Sequence, residues 1–357
     1  MRSPIERLTE KVIGGDAKKA ALVVSETNLY YLTAFPSTDG ALLLTAEQAY
    51  YLLDFRYAEA ARAKAEGAVV EEFTNLNNSI AALLKKHGIT SVYMEYAALP
   101  YGQAKRFEAL CAENGAEAVL DTTLDDAIRA QRIVKSEEEI RKICDAQAIT
   151  DATFEHILPY IREGVTEIAL EIEFYMRKLG ADGNAFDPIV VTGGNGSQCH
   201  GIPGDTVIQK GDFITMDTGA MLKGYHSDMT RTVALGHVSD EQKAIYDTVL
   251  KAQLAAIDAV HAGVRCCDVD KVARDIIETP YPGTFGHGLG HGVGFEIHEW
   301  PRFSRLDDTV CAPGMVITVE PGIYVAGKCG VRIEDMIVVT EDGCRNLTHS
   351  PKELIIL

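Results

Sequence analysis

Residues 287–299 read His-Gly-Leu-Gly-His-Gly-Val-Gly-Phe-Glu-Ile-His-Glu, and this stretch decides how the rest of the chain is interpreted. It places three histidines, His287, His291 and His298, within twelve residues and separates them with four glycines. Glycine lets one segment of backbone approach another closely. Histidines alone do not define a site, because such a stretch could also form a packed loop. The acidic residues on either side of it favour a site.

Four acidic residues stand in apolar, β-rich runs before and after the histidine stretch. Asp217 and Asp228 lie upstream, in Phe-Ile-Thr-Met-Asp-Thr-Gly and Ser-Asp-Met-Thr-Arg-Thr, separated by a short Lys-Gly-Tyr turn. Downstream, Glu320 ends Met-Val-Ile-Thr-Val-Glu and Glu334 lies in Val-Arg-Ile-Glu-Asp. Each pair of acids belongs to a predicted hairpin, in which we expect the two acids to face one another across paired strands. A carboxylate in such a run is costly without a partner. Four carboxylates with a histidine therefore predict an oxygen-rich site for two divalent metal ions.

The order of these motifs resembles that of the pita-bread metallopeptidases, in particular their Xaa-Pro branch of prolidase and aminopeptidase P. The shared pattern is an Asp, a second Asp eleven residues on, a glycine-flanked His, Glu-Pro-Gly and Arg-Ile-Glu-Asp. The resemblance covers the C-terminal two thirds of the chain and extends more weakly over the first third. It implies a role for each ligand: one ion is chelated by Asp217, the other is held by His291 and Glu320, and both are bridged by Asp228 and Glu334.

The resemblance also implies the fold and the reaction. The fold is α/β (α+β), with a mixed N-terminal domain over residues 1–130 and a catalytic pita-bread domain over residues 131–357. The reaction is hydrolysis of the peptide bond between an N-terminal residue and proline, with a proline-containing peptide as substrate. Two metal ions a few Å apart can hold a bridging hydroxide at neutral pH and polarise the scissile carbonyl. The ligand set suits manganese, which we favour, and also cobalt or zinc.

Further histidines and an arginine are candidates for catalysis around the metal ions. His298 or His200, the latter in Cys-His-Gly, could donate a hydrogen bond to the developing oxyanion. His287 could relay a proton, orient the substrate or support the site structurally. Arg332 should point to the same face of its strand as Glu334, two residues later. It could bind a carboxylate or balance the clustered acids.

Four residues are candidates for substrate binding. A dipeptidase must meet the free carboxylate of the proline, and a bidentate arginine suits this task. Arg302 and Arg305 follow His298 in Trp-Pro-Arg-Phe-Ser-Arg, although both could be solvated charges on a loop. The resemblance implies a homodimer in which Phe35 or Tyr57 of the N-terminal domain contributes to the partner's active site. Taken alone, both residues fit core and turn positions better than a binding role.

The pattern of apolar residues predicts the local elements. In the first third, alternating segments predict strands at 20–24, 41–44, 49–53 and 91–95 and helices at 57–64, 79–86 and 103–112. In the remainder, Ser136–Glu139 forms a capping box that opens a long helix. The other predicted elements are a helix after Thr166, a strand at 186–192, and helices from about 239 to 260 and from about 269 to 277.

Composition excludes several classes of protein. The chain is 46% hydrophobic and 24% charged, which is ordinary for a globular protein. Its formal net charge of −18 argues against a nucleic-acid partner. No apolar run is long enough to span a membrane, and the first residues lack the apolar core of a signal peptide. Eight scattered cysteines without Cys-x-x-Cys then predict reduced thiols in the cytoplasm.

Three alternatives share parts of this pattern. Methionine aminopeptidases have the same metal ligands, so the ligands alone do not settle the substrate. The separate N-terminal domain, Ile-His-Glu at 297–299 and Val-Arg-Ile-Glu-Asp at the last ligand favour the Xaa-Pro branch. Creatinase resembles this fold but works without metals, and non-catalytic binding proteins on the same scaffold are expected to have lost ligands. The intact ligand set argues against both.

Overall fold

The computed structural model of the protein describes residues 2–167 and 169–357, apart from the side chains of residues 169–171. Residue contacts divide the chain into two compact units, Met1–Arg132 and Ile133–Leu357, each with a hydrophobic core of its own. We call them unit 1 and unit 2. Within the described residues, no helix combines the length and the apolar character needed to cross a membrane.

Unit 1 is a mixed sheet with helices packed on it. Its strands are β1 (Lys19–Val23), β2 (Ala41–Thr45), β3 (Ala49–Leu53), β4 (Val69–Glu72), β5 (Ser91–Met94) and β6 (Glu117–Val119). Its helices are α1 (Pro4–Val12), α2 (Glu26–Thr33), α3 (Phe55–Lys64), α4 (Leu76–His87), α5 (Tyr101–Glu113) and α6 (Thr123–Ile133). Among the described residues the six strands lie in the order β4-β3-β2-β1-β5-β6. Strand β2 runs antiparallel to both β1 and β3, whereas β4, β5 and β6 extend the sheet by parallel pairing.

Burial explains why the first strands were predictable. Every residue of β2 and β3 is buried, so both read as continuous apolar runs. Helices α3 and α4 begin two and three residues earlier than expected because a polar cap precedes each of them. Asp54 accepts a hydrogen bond from the Arg56 N–H at the start of α3, and Asn75 accepts one from the Asn78 N–H at the start of α4.

Unit 2 carries the helices α7 (Glu137–Ile157), α8 (Ala169–Lys178), α9 (Asp240–Asp258) and α10 (Cys266–Glu278), with short 3-10 helices at Leu158–Tyr160 and Gly193–Ser197. Its first strands are β7 (Gly183–Asn184), β8 (Ile189–Thr192), β9 (Phe213–Thr218), β10 (Ala220–Leu222), β11 (Tyr225–His226) and β12 (Met229–Ala234). The later strands are β13 (Gly290–Gly292), β14 (Glu299–Phe303), β15 (Val316–Val319), β16 (Gly322–Val325), β17 (Cys329–Arg332), β18 (Asp335–Val339) and β19 (Cys344–Asn346).

The helix starts in unit 2 follow local capping signals. The capping box predicted at Ser136 and Glu139 opens α7, and a second one at Ser239 and Gln242 opens α9. The strand predicted at 186–192 is shorter and begins at Ile189, after Pro188, which has no N–H to donate to a sheet.

Two long hairpins follow the two helix pairs. In the first hairpin β9 pairs with β12 and β10 pairs with β11 in one continuous register. Its turn is formed by Lys223 and Gly224, both with positive φ (51° and 79°), as a two-residue type I′ turn requires. In the second hairpin β15 pairs with β18, and β16 with β17, again in one register. Each hairpin therefore has a break halfway along its length.

Candidate metal centre

The predicted acidic ligands lie at or beside the breaks in the two hairpins. In the second hairpin, the register puts Glu320 directly opposite Glu334, as expected. In the first, Asp217 lies opposite Thr230 rather than Asp228. The expectation of two directly facing acids is therefore wrong by two residues for this pair. Since alternate residues share a face of a strand, Asp228 still points to the same side as Thr230.

Two glycines allow the backbone segments around the acids to approach closely. A Cβ atom on Gly219 would lie 2.0 Å from the Ser227 carbonyl oxygen, beside Asp228. A Cβ atom on Gly290 would lie 1.9 Å from the Thr318 carbonyl oxygen. Both distances are far below van der Waals contact, so any other residue would separate these segments. The spacing of ligands thus depends on glycine at these two positions.

The ligand atoms converge at one buried point. Asp228, His291 and Glu334 each place one ligand atom within 4.8 Å of the other two. The His291 Nε2 atom lies 3.5 Å from Asp228 Oδ2 and 3.4 Å from Glu320 Oε1. Glu334 accepts a hydrogen bond of 2.6 Å from the Thr230 hydroxyl, which orients its carboxylate.

The electrostatics of this cluster are unfavourable without cations. Burial, followed by the nearby charge of Glu334, raises the pKa of Asp228 well above its ordinary value. Burial raises the pKa of Glu320 to about 8, and that of Glu334 also lies well above its usual range. Burial lowers the pKa of His291 to about 3, so its imidazole is neutral and available as a ligand. Bound cations would relieve the repulsion among the carboxylates.

Two observations show that these residues fit divalent metal ions. Asp217 Oδ1 is buried without a hydrogen-bond partner among the described residues, which leaves that oxygen for a ligand. His291 Nδ1 lies 3.1 Å from the Gly292 carbonyl oxygen. A carbonyl only accepts, so Nδ1 carries the hydrogen and the Nε2 lone pair faces the acids. Metal-binding histidines commonly have this arrangement, and oxygen ligands with one imidazole suit divalent ions.

The predicted ligands line a cavity of about 780 Å³ in unit 2. The same cavity is lined by most of the predicted catalytic and substrate-binding residues, namely His200, His287, His298, Arg302 and Arg332. Apolar side chains, among them Phe186, Ile189 and Ile202, form part of its wall. The sequence motifs thus meet in one concave site although up to 134 residues separate them.

A buried ion pair shapes the loop that presents His298. The carboxylate of Glu299 accepts hydrogen bonds from the N–H groups of Phe295 (2.9 Å) and Glu296 (3.0 Å). It also accepts one of 3.0 Å from the Lys135 ammonium group, which is almost fully buried. The His298 ring packs edge-on against His291, with ring centroids 4.4 Å apart. Lys135 could not be identified from the sequence, because nothing local links it to residue 299.

Arg332 balances an acid of the cluster. It forms an ion pair with Asp217 and donates a hydrogen bond of 3.0 Å to the Thr230 hydroxyl. It also donates one of 2.9 Å to the Tyr324 hydroxyl, which lies 2.9 Å from His287 Nε2. Of the two roles considered from the sequence, these contacts favour charge balance. Tyr324 and Thr230 were missed; the only local signal was that Thr230 shares a strand face with Asp228.

Three of the predicted substrate-binding residues lie elsewhere. Arg305 is exposed beyond the end of β14 at Phe303, 4.0 Å from Glu278, and does not line the cavity. Its candidacy as the carboxylate reader is therefore not supported. In unit 1, Phe35 is buried edge-on against Tyr51, and the Tyr57 hydroxyl bonds to the Thr38 hydroxyl at 2.7 Å. A role for Phe35 or Tyr57 in a partner's site stays a prediction.

Two protein-family models match this chain. Residues 141–341 match the model of metallopeptidase family M24, and residues 7–134 match the creatinase/prolidase N-terminal domain. The first match alone covers more than half of the chain and includes all five predicted ligands. The chain therefore belongs to metallopeptidase family M24. It is a hydrolase whose site takes divalent metal ions.

Individual relatives agree with this assignment along the whole chain. The protein is 40% identical to the Xaa-Pro dipeptidase of Pyrococcus horikoshii over 342 residues, 94% of each chain. It resembles the solved Xaa-Pro dipeptidase from Bacillus anthracis with a TM-score of 0.92 and 41% identity over 99% of each chain. For the X-Pro aminopeptidase from Thermotoga maritima the TM-score is 0.89, with 34% identity over 95% of this chain and 97% of that one. The predicted family and two-part pita-bread fold are confirmed.

Proposed function

We propose that the protein is an Xaa-Pro exopeptidase that uses two divalent metal ions, preferably manganese. It hydrolyses the bond between an N-terminal residue and proline and is active on dipeptides. The observation that supports this most is that four carboxylates and a neutral histidine line one cavity. Relatives named Xaa-Pro dipeptidase and X-Pro aminopeptidase support the specificity for proline.

The five predicted residues would hold the ions. Bound divalent ions would supply Lewis-acid activation of a water molecule and of the substrate carbonyl. His291 contributes Nε2, because its Nδ1–H is committed to the Gly292 carbonyl. Arg332 forms an ion pair with Asp217 and so holds its carboxylate in place. The surrounding acids keep the buried guanidinium group positively charged.

Of the remaining histidines of the cavity, His298 and His200 are candidates to act on the substrate, and His287 orients neighbouring groups. His298 is exposed in the cavity wall. Desolvation in the cavity lowers its pKa, so the neutral ring is the form present at pH 7. A neutral imidazole retains one N–H donor, which suits it to stabilise an oxyanion without adding charge. His200 lies in the same cavity and is the alternative donor. His287 accepts from Tyr324 and orients the groups around Arg332.

Arg302 is the candidate for recognising the free carboxylate of a dipeptide. It lies on β14 directly opposite His291 on β13 and contributes to the cavity wall. An arginine can bind a carboxylate through two parallel hydrogen bonds. The apolar side chains of Phe186, Ile189 and Ile202 offer contacts for a proline ring and its neighbour.

We further propose a cytoplasmic homodimer. All eight cysteines are free, which fits a reducing compartment. Unit 1 serves as the N-terminal domain, and its proposed part in a partner's site requires two copies. Light scattering at micromolar concentration tests this proposal, and a mass of one chain would refute it.

The function is tested with metal-stripped protein reconstituted separately with manganese, cobalt or zinc. Substrates are Xaa-Pro dipeptides, Xaa-Pro tripeptides and matched Xaa-Ala peptides, and free amino acids are quantified. We expect metal-dependent release of the first residue only where proline follows. Bound metal per chain is measured in parallel. The proposal would be refuted if no proline-containing peptide were cleaved, or if chelated protein kept full activity.

A further inference from the structure

A buried ion pair on α10 contacts the histidine stretch from outside the cavity. Arg274 donates to Asp270 through Nε and Nη2, each at 2.8 Å, four residues apart on the helix. Asp270 is fully buried and Arg274 is 8% exposed. Neither residue lines the cavity. A buried pair of this kind is favourable only if its remaining donors and acceptors are satisfied.

Those remaining groups bind the backbone around Gly288. Arg274 Nη1 donates to the Phe285 carbonyl and Nη2 to the His287 carbonyl, both at 2.8 Å. Asp270 Oδ1 accepts a hydrogen bond of 3.0 Å from the N–H of Leu289. The guanidinium group also lies over the Phe285 ring, 4.2 Å from its centroid. The ion pair therefore holds the backbone on both sides of Gly288.

The peptide between Gly288 and Leu289 contacts both Asp270 and His287. The Leu289 N–H and the Gly288 carbonyl belong to one planar trans peptide and point in opposite directions. That carbonyl accepts from His287 Nδ1 at 2.8 Å, so Nδ1 carries the hydrogen. Nε2 is then the acceptor for the Tyr324 hydroxyl at 2.9 Å. The Asp270 charge also polarises this peptide and strengthens its carbonyl as an acceptor.

We infer that Asp270 and Arg274 are positioning residues that fix the tautomer and orientation of His287. Gly288 has no Cβ, so without the pair this peptide can rotate at little cost. Rotation would turn its N–H toward His287 Nδ1 and favour the tautomer with the hydrogen on Nε2. The Tyr324 hydroxyl, which also accepts from Arg332, would then face a donor instead of an acceptor. The inference rests on the proposed function only in giving His287 a role in catalysis.

The test uses Asp270→Asn with a matched control on the same helix. An asparagine keeps the size of the side chain but places a donating NH₂ group at one of the two oxygen positions, so it cannot accept all three hydrogen bonds from Arg274 Nε, Arg274 Nη2 and the Leu289 N–H. The control is Asp275→Asn, which makes the same chemical change in the exposed pair of Lys271 and Asp275, also four residues apart. If Asp270→Asn fails to fold, Arg274→Lys replaces it, since lysine keeps the charge but not the fork of donors.

The first readout is the tautomer itself. Zinc-loaded protein with ¹⁵N-labelled histidine is studied by NMR through two-bond nitrogen–proton couplings, and His287 is assigned with His287→Gln. We expect an Nδ1–H pattern in the unsubstituted protein and in Asp275→Asn, and gain of the Nε2–H pattern in Asp270→Asn. An unchanged Nδ1–H pattern in Asp270→Asn would overturn the inference. This readout needs no substrate, so it decides the question even if no Xaa-Pro cleavage is found.

The second readout is kinetic. For an Xaa-Pro dipeptide, Asp270→Asn should lower kcat roughly tenfold to a hundredfold, as loss of an outer partner commonly does, with little change in KM or bound metal. In a His287→Ala background the same substitution should have no further effect on kcat. Equal losses in both backgrounds would assign Asp270 a general structural role and overturn the inference.

Discussion

Without bound metal, the free energy of unfolding should fall as the pH rises. The pKa of Glu320 gives the magnitude of this effect. Its pKa in the folded protein is raised by burial to about 8, against an ordinary value of 4.5. A carboxyl whose pKa is raised on folding contributes stability below its unfolded pKa and loses it as the pH rises through the folded value. Between pH 5 and pH 8.5 this loss amounts to about 4 kcal/mol for metal-free protein. That is a large part of a typical free energy of unfolding.

The assay is urea unfolding followed by tryptophan fluorescence. Trp300 is the sole tryptophan of the sequence and lies in β14 of unit 2, so the signal reports the unit that holds the site. Chelated protein is compared at pH 5 and pH 8.5 with Glu320→Gln, which cannot ionise at this position. We expect the free energy of unfolding of Glu320→Gln to exceed that of the unsubstituted protein by several kcal/mol at pH 8.5. The difference should be much smaller at pH 5.

Metal-loaded protein should show the opposite trend. Cations bind the ionised carboxylates and compete with protons, so the stabilisation by manganese should increase from pH 5 to pH 8.5. Two results would contradict this prediction. In the first, the difference in free energy of unfolding between chelated protein and Glu320→Gln is the same at both pH values. In the second, manganese stabilises the protein more at pH 5 than at pH 8.5.

Two further predictions concern the ligands and the substrate carboxylate. His291→Ala or Glu334→Gln should abolish turnover and lower bound metal per chain, while circular dichroism remains that of the folded protein. Full activity of either variant would contradict the assignment of the ligands. Arg302→Ala should raise KM for Xaa-Pro dipeptides about tenfold or more, the loss expected for a charged hydrogen bond, and affect tripeptides far less. Arg305→Ala is the matched control and should leave both unchanged, because Arg305 lies outside the cavity. Equal effects of Arg302→Ala on dipeptides and tripeptides would exclude a carboxylate reader.

Local signals were sufficient for much of the architecture. The capping box at Ser136 and the buried runs of β2 and β3 depend on residues within a few positions of each other, and the structure forms them where they were predicted. The order of the ligand motifs was likewise sufficient to identify the family, because each motif is contiguous. These features are properties of short segments and can be read without knowing what packs against them.

Contacts between distant segments were decided only by the tertiary structure. Strand register sets Thr230 rather than Asp228 opposite Asp217, and a register cannot be derived from two strands that each alternate regularly. From the sequence, Arg302 and Arg305 were equal candidates for binding the carboxylate. Strand β14 ends at Phe303, so Arg302 lies within the strand and Arg305 lies beyond it.

The pair on α10 shows the same limit most clearly. Asp270 and Arg274 have the spacing of an ordinary ion pair on a helix, and Lys271 and Asp275 have it too. Only the packing of α10 against the histidine stretch buries the first pair and turns its remaining hydrogen bonds toward Gly288. Sequence by itself determined which groups are present and the order in which they occur. The fold decided which of them meet, because burial and hydrogen-bond partners arise from segments far apart in the chain.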